Sequence, residues 1–387
     1  MALSPLHRAW RRLPQQARRS ALLRAATALA PRPDPAPPPV TGGVVLAGEL
    51  ARASGLGEGA RQLQAGLAAL GIPAWTSLAD APPGAALLLH VNAPQLPAAL
   101  LRLGRAAIRG RRIVAFWNWE LPIAPPDWRR AIPFVHEIWT PSRFTAAALE
   151  PLLPGRVRAV PYPLALRPPA PAPMDRAALG LPPDALVTLT VFGLASSFAR
   201  KNPLAAIAAH QAAFGPDPRH LLILKLTDPT HFPADFASLE AATANHPNIR
   251  LDTRTLPRPE LHALMAAADI VLSPHRSEGF GLVPAEAMFL ARPILATDWS
   301  ATAEFLDATV AAPIPYRLIP VHDPRGTYAL PGAHWADPDI PAMAALLRSL
   351  AADPARRAQL GQAAHTRATA QFGPTPLAAA LRSLGLL

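Results

Sequence analysis

The chain has 387 residues, with 37 Lys and Arg against 26 Asp and Glu, 49 Pro and no Cys. That length exceeds what one hydrophobic core usually holds, so two domains are expected, and the missing Cys excludes disulfides and thiolate metal sites. The net charge of +11 does not imply nucleic acid: Arg8, Arg11, Arg12, Arg18, Arg19, Arg24 and Arg32 stand in residues 1–33 without a single acid, leaving 11 − 7 = +4 for the rest.

Residues 1–30 alternate Arg with Leu, Ala and Trp10 at loosely helical spacing. Such a helix either lies on an anionic membrane surface or packs weakly on the body of the protein. Arg18, Arg19 and Arg24 interrupt any signal-peptide core, and no run is long enough to cross a membrane. A cytoplasmic protein, peripheral at the inner face of the membrane at most, is therefore expected. Pro31 to Pro39 reads as an extended linker.

The first folded unit begins at Gly42. Val44 to Ala47 is a short buried strand, and Ser54 to Arg61, with Gly57 and Glu58, opens a helix running through Leu70. Leu87 to Leu89 and Ile113 to Trp117 are further strands, ending in Asn92 and in Trp119-Glu120. A parallel sheet puts its ligand site at such strand ends. Trp119 can stack on a sugar face and Glu120 can accept from a hydroxyl; alternatively the tryptophans pack in the core and Glu120 caps. Phe134 to Ile138 reads as a strand before a Pro-Ser turn, with His136 structural. Proline-rich Arg167 to Asp184 is the natural interdomain linker.

The second unit opens with the strand Leu186 to Phe192 and a loop carrying Arg200 and Lys201 ahead of the helix Leu204 to Phe214. An adjacent Arg and Lys there suit a diphosphate. Leu221 to Lys225 and Ile249 to Thr253 are strands, and Leu261 to Ala268 a helix. Ile270 to Thr297 then reads strand, glycine turn, helix, strand, with Pro284 starting a helix over Ala285 to Leu290. Glu278 and Glu286, separated by seven residues, bracket the turn. Carboxylates accept from sugar hydroxyls, and the free N–H groups of Gly279, Phe280, Gly281, Leu282 and Val283 at a helix start favour phosphate.

EGFGLVPAE resembles the E-x7-E motif of retaining GT-B glycosyltransferases of the family 4 kind, as do HRSEGFGL with ARPILAT and the order WNWELP, HEIWTPSRF, VPYP. The resemblance covers most of residues 42–387. It implies an α/β GT-B fold: two Rossmann-like domains with parallel sheets facing a central cleft. The expected division is a basic helix and linker over 1–41, an acceptor-side domain over 42–166, a linker over 167–184, a nucleotide-sugar domain over 185–370, and a last helix over 371–387 that crosses back.

The same resemblance implies roles. Glu286 would hold the ribose, Glu278 and the 279–281 turn the sugar, and Lys201 with Arg200 the pyrophosphate, while Gly57, Glu58, Asn92, Trp119 and Glu120 face the acceptor and the sugar. The Arg of the family's basic pair usually lies several residues before the Lys, Thr302 stands where Asn is common, and His136 where Asp is. The implied partners are a GDP- or UDP-hexose and a glycan or lipid-linked acceptor, with no metal or other cofactor. Asp337-Pro-Asp339 is formally a D-x-D, but it precedes a helix and reads as an N-cap. A non-catalytic nucleotide-binding subunit and a sugar-nucleotide epimerase on the same fold remain as alternatives.

Overall fold

A computed structural model describes residues 15–52 and 54–387; the basic segment before Gln15 lies outside them. Two parallel six-stranded sheets form the body, as expected for a GT-B protein. The first contains β1 (Val44–Gly48), β2 (Ala74–Trp75), β3 (Ala86–His90), β4 (Ile113–Phe116), β5 (Glu137–Thr140) and β6 (Val157–Ala159) in the order β2-β1-β3-β4-β5-β6. The second contains β7 (Leu186–Gly193), β8 (His220–Thr227), β9 (Ile249–Asp252), β10 (Ile270–Ser273), β11 (Ile294–Thr297) and β12 (Ala312–Ile314) in the order β12-β11-β10-β7-β8-β9. Both are near-continuous apolar runs, as strands covered on two faces must be; every residue of β3, β4 and β11 is buried.

In the second sheet the chain winds outward from β7 through β8 to β9, then returns beside β7 with β10. The loops after β7 and β10 therefore diverge from adjacent strands, which opens the crevice where such sheets take ligands. Those loops carry Arg200, Lys201 and Glu278. An antiparallel hairpin, β13 (Tyr316–Pro320) and β14 (His334–Pro338), stands apart from both sheets.

Some boundaries differ from the sequence reading. The strand expected from Phe134 starts only at Glu137, because Pro126–Phe134 forms a 3-10 segment containing Pro133. The helix expected to begin at Pro284 begins at Leu282, since Gly281 at φ 95 turns the chain into it and proline is tolerated in a first turn. Arg200 and Lys201 do not lie in an open loop but on a one-turn helix, Phe198–Lys201, which Asn202 in the left-handed region separates from the helix Pro203–Phe214. His136 is structural: its Nδ1 accepts from Ile113 N at 2.8 Å and its Nε2 donates to Asp34 O at 2.8 Å, which pins the proline-rich linker to the first sheet.

One of the apolar clusters runs across both units. Phe280 packs edge-on against Tyr162 at 5.1 Å and against Phe372 at 5.5 Å between ring centroids. The last helix, Thr375–Ser383, brings Leu377 against Gly66 of the first unit, where a Cβ would fall 2.7 Å from Leu377 Cδ2. The helix Gln15–Leu29 packs on Leu96–Leu103 and leaves Leu22 and Leu29 exposed. No helix of the described residues is long and apolar enough to cross a membrane.

Candidate active site

The centre of the site is a buried ion cluster at the strand ends of the second sheet. Lys201 Nζ lies 2.5 Å from Glu278 Oε1, and Arg200 Nη1 lies 3.2 Å from Glu278 Oε2 while also donating to Ser277 O at 2.8 Å. Arg200 Nη2 donates to Ser196 O at 2.8 Å, so its guanidinium is fixed by backbone on two sides. Burial alone would push Glu278 up, but the adjacent Lys201 and Arg200 outweigh it and hold the carboxyl at about 2. Burial pulls Lys201 below the ordinary lysine range, opposed by Glu278. The carboxylate form of Glu278 is thus the one the site is built around.

Glu278 opens the glycine turn. Its N–H donates to Ser300 Oγ at 2.8 Å, and the turn then sits on the first unit: Ser142 Oγ donates to Gly279 O at 2.7 Å and Ser277 Oγ donates to Glu120 O. Gly279 is required by this approach, because a Cβ there would fall 2.7 Å from Trp119 O. Among the described residues, the N–H groups of Gly279, Phe280, Gly281, Leu282 and Val283 meet no hydrogen-bond acceptor. They stand at the positive end of the helix Leu282–Phe289, beside two cations. An anion there would satisfy donors that are otherwise left bare.

Glu286, on the same helix, is buried and paired with the Arg258 guanidinium. Arg258 Nε lies 3.7 Å from Glu58 Oε2, and His262 Nε2 stands 4.0 Å from Glu286 Oε1. Burial raises the Glu286 carboxyl to about 7; Arg258 opposes that shift and the charge of Glu58 adds to it.

The residues expected on the acceptor side have other partners here. Both Glu58 oxygens are occupied, one by Arg61 at 2.8 Å and one by Arg167 at 2.6 Å. Gly57 N donates to Ser54 Oγ at 3.1 Å as part of a helix cap, and Asn92 Oδ1 accepts from Asn118 N at 2.8 Å, ordering the loop after β4. The Trp119 ring is buried between Trp128 and Tyr328, and its Nε1 donates to Ile123 O at 2.8 Å, which leaves no face open for a sugar in this conformation. Glu120, by contrast, joins the ion cluster: its Oε1 is 3.9 Å from Arg200 Nη2. Phe280 is a core residue, while Leu282 lies within reach of Gly55 at the first unit's glycine loop.

Four residues of this site escape sequence reasoning: Arg258, Ser277, Ser300 and Tyr328. Ser300 stands at a positive φ of 69 after β11, a conformation visible only in the folded chain. Among the described residues no group of three or more His, Asp or Glu is set to hold a metal ion. Asp339 of the D-x-D accepts from Ala342 N at 2.9 Å as a helix cap, and Asp337 pairs with Arg276 at 3.1 Å.

Comparisons with known proteins bear on the family and the fold. A family model described as family 4 glycosyltransferase in conflict systems matches residues 148–377. The chain is 32% identical over 218 residues to the D-inositol 3-phosphate glycosyltransferase of Thermobispora bispora, a match covering 55% of this chain and 46% of that one. It thus spans just under half the length of that relative. The Anabaena HepE protein, solved with UDP and glucose, superimposes with a TM-score of 0.63 at 14% identity, over 90% of this chain and 100% of that one. A glycosyltransferase from Rickettsia africae gives a TM-score of 0.63 at 12% identity, over 89% of this chain and 98% of that one. At such identities the two structures establish the fold, which is GT-B.

Proposed function

The chain belongs to the family 4 glycosyltransferases, and we propose that it moves a hexose from a nucleotide sugar, a UDP- or GDP-hexose, to an acceptor hydroxyl with retention of anomeric configuration. One observation carries this reading: five unsatisfied N–H groups at a helix start stand beside Lys201, Arg200 and Glu278 at the sheet's switch point. That constellation suits a diphosphate joined to a polyol. Glu286 would take the ribose hydroxyls once Arg258 releases its carboxylate. The Anabaena neighbour's UDP and glucose support a uridine donor.

In the reaction, the bond from sugar C1 to the diphosphate oxygen breaks and a bond from C1 to the acceptor oxygen forms on the same face. The acceptor proton passes to the departing phosphate oxygen. Lys201, Arg200 and the turn's N–H groups stabilise the charge gathering on that phosphate. Glu278 is held by two cations and acts as a hydroxyl acceptor rather than as a nucleophile. No metal is assigned a part in this scheme.

For the biological role we favour polysaccharide or glycoconjugate synthesis on a glycan or lipid-linked acceptor. The family model's own description, which sets its members in conflict systems, favours a second reading of the role within such a system. Contact between the basic segment 1–30 and an anionic membrane is supported by its six arginines and by exposed Leu22 and Leu29; flotation with phosphatidylglycerol vesicles tests it. The activity itself is tested by incubating the protein with UDP- and GDP-hexoses and simple acceptors, following nucleotide release and reading the product anomer by NMR. A product of inverted configuration, or no release from any donor, would overturn the proposal.

A further inference from the structure

We infer that Tyr328 is a positioning residue of the donor site, holding Glu120 across the cleft and thereby keeping Arg200 available to a diphosphate. The inference rests on the reading of the Arg200, Lys201 and Glu278 cluster as that site.

Tyr328 belongs to the connection between β13 and β14, residues 321–333, which leaves the second unit and lands on the first. Its buried ring lies on Trp119, with centroids 5.3 Å apart, and its hydroxyl donates to Glu120 Oε2 at 3.0 Å. The other Glu120 oxygen is 3.9 Å from Arg200 Nη2, and the Arg200 guanidinium sits 5.7 Å from the Tyr328 ring centroid. Tyr328 therefore touches both ends of an incomplete pair that bridges the two units.

The connection is anchored before any ligand arrives. The Asp323 carboxylate accepts from Tyr328 N at 3.0 Å. Arg325 donates to Leu194 O at 2.5 Å, pairs with Asp235 and lies 3.9 Å over the Phe232 ring. The tyrosine is presented by rigid backbone, as a positioning group has to be.

The charges explain why it is needed. Glu120 and Glu278 balance Arg200 and Lys201, so a diphosphate must draw the cations away from carboxylates that already hold them. A neutral hydroxyl on Glu120 satisfies one of its oxygens and keeps the carboxylate at 3.9 Å from Arg200 rather than in a full ion pair. Without that hydroxyl, Glu120 would close on Arg200 and compete with the phosphate.

A double-mutant cycle on the full chain tests this, with Tyr328→Phe, Glu120→Gln and both together. The readouts are the dissociation constants of UDP, GDP and ADP by calorimetry. Tyr328→Phe should weaken the preferred nucleotide about ten-fold, and the same change in the Glu120→Gln background should alter binding less than about two-fold. A fold-change equal in both backgrounds, or no change in either, would overturn the inference. Nucleotide binding absent from the wild type would instead overturn the donor-site reading, and this inference with it, so the two failures are distinguishable. Far-UV circular dichroism and melting temperature, expected to stay near wild type for Tyr328→Phe, separate positioning from loss of fold.

Discussion

The guanidinium of Arg258 closes the carboxylate of Glu286. The group best suited to grip a ribose is thus already occupied, by a residue that also lies 3.7 Å from Glu58 of the other unit. In the proposed donor complex, ribose hydroxyls replace this pair. With the Glu286 carboxyl raised to about 7, a hydroxyl-donating ligand favours the ionised form. Nucleotide affinity should rise with pH from 6 to 8 and then level off, and Glu286→Gln should flatten that dependence; calorimetry in buffers of matched ionic strength checks it. The stability link has the opposite sign: a raised folded-state value contributes stability that is full below the ordinary 4.5 and is lost as pH rises through about 7.

Glu278→Gln and Lys201→Ala should each lower transfer by orders of magnitude, because each removes a group that the proposed mechanism sets on the sugar or the leaving phosphate. Glu278→Gln also leaves the Lys201 ammonium without its counter-charge, which costs about 3–5 kcal/mol and lowers the melting temperature while the two sheets persist, whereas Lys201→Ala leaves Glu278 paired with Arg200 and costs less. Transfer rates should be measured well below the melting point of each variant. Near-normal turnover in either would remove that residue from the mechanism.

Gly281→Ala should abolish activity and cost about 1–3 kcal/mol. The residue sits at φ 95, and a Cβ would fall 2.4 Å from Thr302 Cγ2. Thr302 cannot easily yield, since its hydroxyl is 2.9 Å from His275 Nε2. Chemical denaturation gives the stability change, and nucleotide binding shows whether the turn's N–H groups still converge.

Burial pulls His90, His210, His262 and His275 from the ordinary 6.5 down to about 4. A depressed folded-state value contributes stability that is full above 6.5 and is lost as pH falls through about 4. Melting temperature should therefore drop steeply between pH 6.5 and 4. His210, fully buried with both ring nitrogens unpartnered, is the clearest contributor. His210→Phe should reduce the drop and stabilise by about 1–2 kcal/mol at pH 5.

Much of this architecture is legible in the sequence, because its signals are local. Ile270 to Thr297 announces strand, turn, helix and strand within one stretch, and the seven-residue spacing of Glu278 and Glu286 needs nothing from elsewhere. Short edge strands such as β2, with two residues, carry too little apolar pattern to be seen. Helix starts move where a glycine takes positive φ, as at Gly281. Tyr328 is illegible for a different reason: its partner Glu120 is 208 residues away, and a lone tyrosine in a proline-containing connection has no periodicity to betray it. Arg258 is nearer to Glu286, by 28 residues, yet only folding shows that its side chain points at that carboxylate. The ring of Trp119, which sequence offers to a sugar, is claimed in the structure by Trp128 and Tyr328, a competition that tertiary packing alone decides.

On the proposed function, the helix start after Glu278 and the carboxylate of Glu286 bind a nucleoside diphosphate. A thermal-shift panel of UDP, GDP and ADP and their sugars, with and without magnesium, tests it most directly, because a ligand of the native state raises the melting temperature by mass action. A selective rise with one nucleotide is expected, the same with or without the metal and lost in Glu286→Ala. No rise with any nucleotide, or a rise that survives in Glu286→Ala unchanged, would contradict it.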